Sequence, residues 1–119
     1  MDFICRWIDV TKSQSIDQDL TDEQYEVILE MYKLCDGNPV AAERTILDIV
    51  QRDPGNKVLG RLGAGLLEDL IEHFPEYLDR FIAAARSNSK IRVCLANVVL
   101  SDERVADKLK LDSFLAASE

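Results

Sequence analysis

The chain has one histidine, one tryptophan, three cysteines and three prolines in 119 residues, and each scarcity closes off a class of chemistry. With a single imidazole, a Ser-His-Asp or Cys-His arrangement would have to use His73, and no Gly-x-Ser-x-Gly elbow accompanies it. Cys5, Cys35 and Cys94 are odd in number, far apart and set among apolar neighbours, with no Cys-x-x-Cys pair. They are expected to be reduced, buried thiols, the state that cytoplasm maintains. No apolar run approaches the roughly 20 residues that a membrane-spanning helix needs. The first residues, Met1-Asp2-Phe3-Ile4-Cys5-Arg6, lack the basic start of a secretory signal. Positive charge is short as well: Lys and Arg total 14 against 22 acids, for a net charge of −8. Such a chain repels phosphate backbones and anionic bilayers, so nucleic acid and membrane are set aside as partners.

What is present is helical pattern. An apolar content of 47% in a chain this long suffices for one core without metal or disulfide, so residues 1–119 are read as one domain. Its first part, 1–19, is a helix followed by a polar loop over 12–19, and 20–119 is the helical body. Phe3, Ile4, Trp7 and Ile8 share one stripe of the first helix, with Asp2, Arg6 and Asp9 opposite. Thr21 and Gln24 form a capping box, with Leu20 and Tyr25 as its hydrophobic staple. Gly37 stops that helix, and Asn38-Pro39 starts the next.

The apolar arc of the second helix (Tyr25, Val27, Ile28, Leu29, Met31, Tyr32, Leu34, Cys35) exceeds half its circumference. That predicts either the most enclosed helix of the fold or a binding face. In the third helix Val40, Ile46, Leu47, Ile49 and Val50 should point inward. Asp53-Pro54-Gly55-Asn56 suits a type II turn. A helix over 57–74 follows, interrupted at Gly63–Gly65, then one that buries Tyr77, Leu78, Phe81, Ile82 and Ala85. Residues 90–100 form a central helix or, failing that, a strand. A last helix, capped by Ser101, turns Val105, Leu109 and Phe114 inward. The fold class is therefore all-α: a compact irregular bundle of about six or seven short helices, loosely like a helical-repeat array.

Three glycines within six residues, Gly60, Gly63 and Gly65, cost helix stability and so mark a bend or a close approach of backbones. They spell neither the dinucleotide fingerprint nor a P-loop. A phosphate cradle at a helix start near Leu66 would face Glu68 and Asp69, which oppose an anion. Glu68 is better read as satisfying the free amides of a resumed helix. Glu68, Asp69, Glu72, His73 and Glu76 are the densest titratable group, and Asp69 and His73 are spaced to pair across one turn. The spacing matches no bundle metal motif, so no metal or cofactor is called for. Arg80, Arg86, Lys90 and Arg92 gather toward one joint, but acids dilute them and no aromatics interleave.

Leu62-Gly63-Ala64-Gly65-Leu66-Leu67-Glu68-Asp69-Leu70-Ile71, preceded by Ala42-Glu43-Arg44-Thr45-Ile46-Leu47-Asp48-Ile49, resembles a family of small uncharacterised bacterial proteins over 38–100. The resemblance implies a bacterial cytoplasmic protein and no known activity, and it makes Gly63, Gly65, Glu68 and Asp69 the positions to test first.

Acid is concentrated in the first third: residues 1–36 hold nine acids and three bases, for −6. The expected function is a non-enzymatic interaction domain that binds another, basic protein through Glu23, Glu26 and Glu30, as immunity proteins and antitoxins neutralise an effector. The competing reading is a small metal-dependent or small-molecule enzyme built on Glu68, Asp69 and His73. A third is a homodimer along the second helix or Trp7.

Overall fold

A helical rod from Asn56 to His73 runs through the middle of the molecule, and most other helices pack against it. The structure, a computed structural model, describes residues 2–13 and 20–117. In chain order they form α1 (Phe3–Ser13), α2 (Asp22–Cys35), α3 (Pro39–Gln51), α4 (Asn56–Leu62), a π turn (Gly63–Leu67), α5 (Glu68–His73), α6 (Tyr77–Ala85), α7 (Ser89–Ala96) and α8 (Val105–Ala117). Counted with α4, the π turn and α5 as one rod, these are seven helices, and the described residues hold no strand. The fold is the all-α bundle that the periodicity predicts. The loop expected over 12–19 lies mostly outside the described residues, and Lys12 and Ser13 belong to α1.

The glycines do not interrupt the rod. The Glu68 amide reaches back five residues to the Gly63 carbonyl, a single π turn, while the flanking Leu62 and Glu68 keep ordinary helical angles. Gly63 is needed for space rather than for its dihedral freedom, because α7 crosses directly over it. A Cβ there would stand 1.9 Å from the Cys94 carbonyl oxygen. The close approach expected from the glycines is real, and the helix runs on through them as a π turn. A helix start near Leu66 is likewise absent, and with it the phosphate cradle.

Around this crossing Val58, Leu59, Leu62, Leu67, Ile71, Leu78, Phe81, Cys94 and Leu95 are closed to solvent, joined from α3 by Ile46, Ile49 and Val50. Each such side chain contributes about 1.5–3 kcal/mol through the water it leaves. α6 packs on α7, and α8 closes the far end against both. α1 lies across α2, α3 and α4 through Trp7, Ile8 and Thr11. Asp2 accepts the Cys5 amide at the start of α1 (2.8 Å) and meets Arg52 (2.9 Å), which also pairs with Asp48 (3.0 Å). At the other end of α1, Lys57 donates to the Lys12 carbonyl.

Local end signals are realised. Thr21 and Gln24 form the complete capping box, and Asn38 caps α3 with Pro39 at its first position. Tyr25, the expected staple partner, is nevertheless exposed. Gly37 is left-handed, as a residue that stops a helix should be.

The type II turn is not formed: Asp53 takes the left-handed conformation, and Gly55, with ψ of 161°, caps α4 instead. The final helix starts at Val105 rather than after Ser101; Val105 and Leu109 are exposed, and Leu111 is its buried residue. Val40 and Leu47 of α3 also face out, while Ala42 and Thr45 take their places. Of the three thiols only Cys94 is buried; Cys5 and Cys35 are half-buried.

Candidate functional site

The largest departure from expectation lies in α2. Met31 is its one buried side chain, with Val27 and Cys35 packed against the core from its edge. Tyr25 is 55%, Leu29 40% and Tyr32 45% exposed, and Leu34 is exposed as well. The helix expected to be most enclosed thus presents an open face. α1 and α3 pack against its inner side, and among the described residues its outer face stays open.

Tyr25, Leu29 and Tyr32 follow one another at spacings of four and three, so they form one stripe over two turns. Glu23, Glu26 and Glu30, the expected binding residues, are exposed beside this stripe. With Asp9, Arg6 and Val10 of α1 they line a groove of about 470 Å³ between α1 and α2. On the opposite side of the stripe, Tyr32 borders a second depression of about 280 Å³, shared with Trp7, Ile28, Met31, Arg61 and Gly65. A Cβ on Gly65 would stand 3.4 Å from the Tyr32 hydroxyl. Burial, reinforced by the charges of Asp69 and Glu68, raises the Tyr32 phenol above its ordinary value and keeps its proton on.

The carboxylates of α5 divide into two sets with different work. Glu68 accepts the Val99 amide at 2.7 Å, and Glu72 accepts the Ser101 amide at 2.5 Å. Arg104 adds a guanidinium 3.5 Å from Glu72 and donates to the Glu72 carbonyl. These acids fasten the non-helical segment 97–101 to the rod; they do not satisfy a helix end, since no end exists there. The Ser101 amide, followed by its hydroxyl and Arg104, holds the Glu72 carboxyl below its ordinary range.

Asp69 and His73 face the other way. They pair at 3.3 Å, and His73 Nδ1 also lies 2.9 Å from the Asp69 carbonyl oxygen. Both are more than half exposed, at 56% and 68%. That carbonyl contact, then the Asp69 charge, raises the imidazole's pKa.

Asp69 and His73 share a depression of about 190 Å³ with Cys35 and Asp36, the one place where thiol, imidazole and carboxylate meet. Its thiol and imidazole are shifted in the direction opposite to that of a thiolate–base pair. Burial raises the Cys35 thiol, whereas a reactive cysteine needs its pKa lowered, and the imidazole is biased toward its protonated form. Among the described residues no three His, Cys, Asp or Glu side chains are placed to hold a metal ion. The basic residues of the α6–α7 joint do not act together either: Arg80 is clamped by Glu43 at 2.6 Å and Lys90 faces Asp53 at 3.3 Å.

Sequence reasoning found the pairing of Asp69 with His73. It left the facing of α2 open between enclosure and an outward stripe, and it missed the clamp on 97–101. The stripe had a signal, the apolar arc of more than half the circumference of α2. The clamp had only the i, i+4 spacing of Glu68 and Glu72.

An all-α domain with an open, acid-bordered second helix is the class that fold and face define. Residues 14–109 match the profile of a family of unknown function (DUF6869), and the chain belongs to that family. The match runs from before α2 into α8 and leaves α1 outside. No curated protein and no solved structure matches the chain significantly. No helix among the described residues is long and apolar enough to cross a membrane.

Proposed function

We propose that this chain is a non-enzymatic protein-interaction domain that receives a basic partner protein on the outward face of α2. The observation that carries this reading is the coincidence, on one helix, of an exposed apolar stripe and a flanking row of three glutamates that line a groove. Apolar surface left open beside fixed charge costs the monomer solubility, and a complementary partner recovers that cost. Carboxylates at the rim speed encounter more than they deepen affinity, which suits rapid neutralisation of a basic effector, as immunity proteins and antitoxins perform it. A bacterial cytoplasm is the setting in which we place it.

The enzyme alternative draws less support, because Glu68 is committed to the Val99 amide and the Asp69–His73 pair sits on open surface. Self-association through α2 would set Glu23, Glu26 and Glu30 against their own copies, and like charges facing each other cost binding energy. The test is affinity capture from the native cell with the wild type and with Glu23→Lys/Glu26→Lys/Glu30→Lys. The expected result is a basic protein retained by the wild type and released by salt or by the reversal. A retained protein that ignores both changes rules the acidic face out.

A further inference from the structure

Resting on that reading, we infer that the partner element docked on α2 is a basic amphipathic helix. The stripe of Tyr25, Leu29 and Tyr32 is about 10 Å long and straight, the size of one i, i+4, i+7 ridge. A ridge of that form packs against the groove of another helix, whereas an extended strand has no free sheet edge here to join.

Charge selects the sign of the partner. Asp22, Glu23, Glu26 and Glu30 lie on one side of the stripe, and the fields of Asp69 and Glu68 reach Tyr32 from the other. The cations near the same face are Lys33 of α2, Arg6 across the groove and Arg61 beside Tyr32, fewer than the acids. An incoming helix with Leu or Ile along one stripe and Lys or Arg on both flanks meets apolar surface at its centre and carboxylate at its margins. The tyrosine rings add a second attraction, since a guanidinium or ammonium settles on an aromatic face. A second copy of this chain brings the same acids, and an anionic surface is repelled. Both are therefore poorer occupants.

The probes are three synthetic peptides of about 18 residues, five helical turns. The first is an amphipathic Leu/Lys helix, the second has the same composition scrambled to destroy the stripe, and the third places Glu where the first has Lys. Binding to the full chain is read by fluorescence anisotropy at two salt concentrations about tenfold apart, which changes the screening length roughly threefold.

The amphipathic Lys peptide should bind at least about tenfold tighter than the scrambled one, the difference of a few buried anchors. Tyr25→Ser/Leu29→Ser/Tyr32→Ser should bring the two within about threefold of each other, and Glu23→Lys/Glu26→Lys/Glu30→Lys should weaken both. Val40→Ser on exposed α3 should change neither, and thermal melts confirm that each variant folds.

Equal, salt-sensitive binding of both Lys peptides overturns the helix inference and leaves the basic-partner reading standing. Binding that ignores salt, an equally tight Glu peptide, or no binding of either Lys peptide overturns both.

Discussion

The α4–π–α5 rod and α2 are similarly rich in apolar side chains, yet they meet opposite fates. In the rod Leu59, Leu62, Leu67 and Ile71 are closed to solvent, because α7 crosses at Gly63 with backbone nearly touching backbone. In α2 only Met31 is closed, although Tyr25, Leu29, Tyr32 and Leu34 are of comparable size. Hydrophobicity alone does not decide which residues enter a core. The deciding factor is whether a second helix can come near enough, and in this molecule a missing Cβ lets it. Among the described residues α2 has no such crossing, and its surplus apolar surface stays exposed.

Four experiments sharpen this contrast. The largest effect is expected from Gly63→Ala, whose Cβ must push α7 away from a main-chain oxygen that cannot swing aside. Overpacking of this kind should cost about 3 kcal/mol or more and lower the melting temperature by roughly 10 °C. Gly65→Ala meets only the movable end of Tyr32 at 3.4 Å and gains helix propensity, so its stability should stay within about 0.5 kcal/mol of wild type. Equal losses for both would mean that the crossing is not what the glycines serve.

Next in size, Leu67→Ala should cost about 3 kcal/mol by leaving a cavity, against less than about 0.5 kcal/mol for Leu29→Ala on open α2. Denaturant midpoints measure both, and a large loss at Leu29 would show that α2 is covered after all.

Glu72→Gln tests the clamp on 97–101 and should cost about 1 kcal/mol at neutral pH by weakening a charge-assisted hydrogen bond. The pH dependence follows from its sign. A carboxyl held below its ordinary 4.5 in the folded chain binds fewer protons there than when unfolded. Its stabilisation is therefore complete above that value and is lost as pH falls through the lower folded value. The gap between wild type and variant should close in acid and persist at pH 7. A gap that instead widened in acid would assign the clamp to another group.

The smallest effect is kinetic. Burial pushes the Cys94 thiol up to about 12, while Cys5 and Cys35 are half-buried. A thiol reagent at mild alkaline pH should modify Cys5 and Cys35 in the native chain and reach Cys94 only on unfolding. Native labelling of Cys94 would mean that the α4–α7 crossing opens readily.

What could be read from the sequence was what neighbours in sequence decide. Thr21 with Gln24, and Asn38 with Pro39, set helix starts through hydrogen bonds spanning three residues, and both starts occur as predicted. Gly63 announced a close approach because no other residue explains its expense inside a helix. The facing of Leu29, Val40 and Leu109 was not legible, since it depends on where other helices lie. The roles of Glu68 and Glu72 were hidden for the same reason, their partners standing 31 and 29 residues away. The turn at 53–56 differs in its dihedrals: Asp53 takes the left-handed conformation, and Gly55 keeps a positive φ but an extended ψ as it caps α4.

The π turn at Gly63–Leu67 also sets the angular phase of everything after it. A surplus residue absorbed in one wide turn sets the downstream side chains about 100° from where an unbroken α-helix of the same sequence would place them. That offset aims Glu68 and Glu72 at the 97–101 segment while Asp69 and His73 look toward the end of α2. Deleting Ala64 would close the turn to a plain α-helix and leave both pairs facing as they do, whereas forcing all five residues into α geometry would swing both pairs away from their partners.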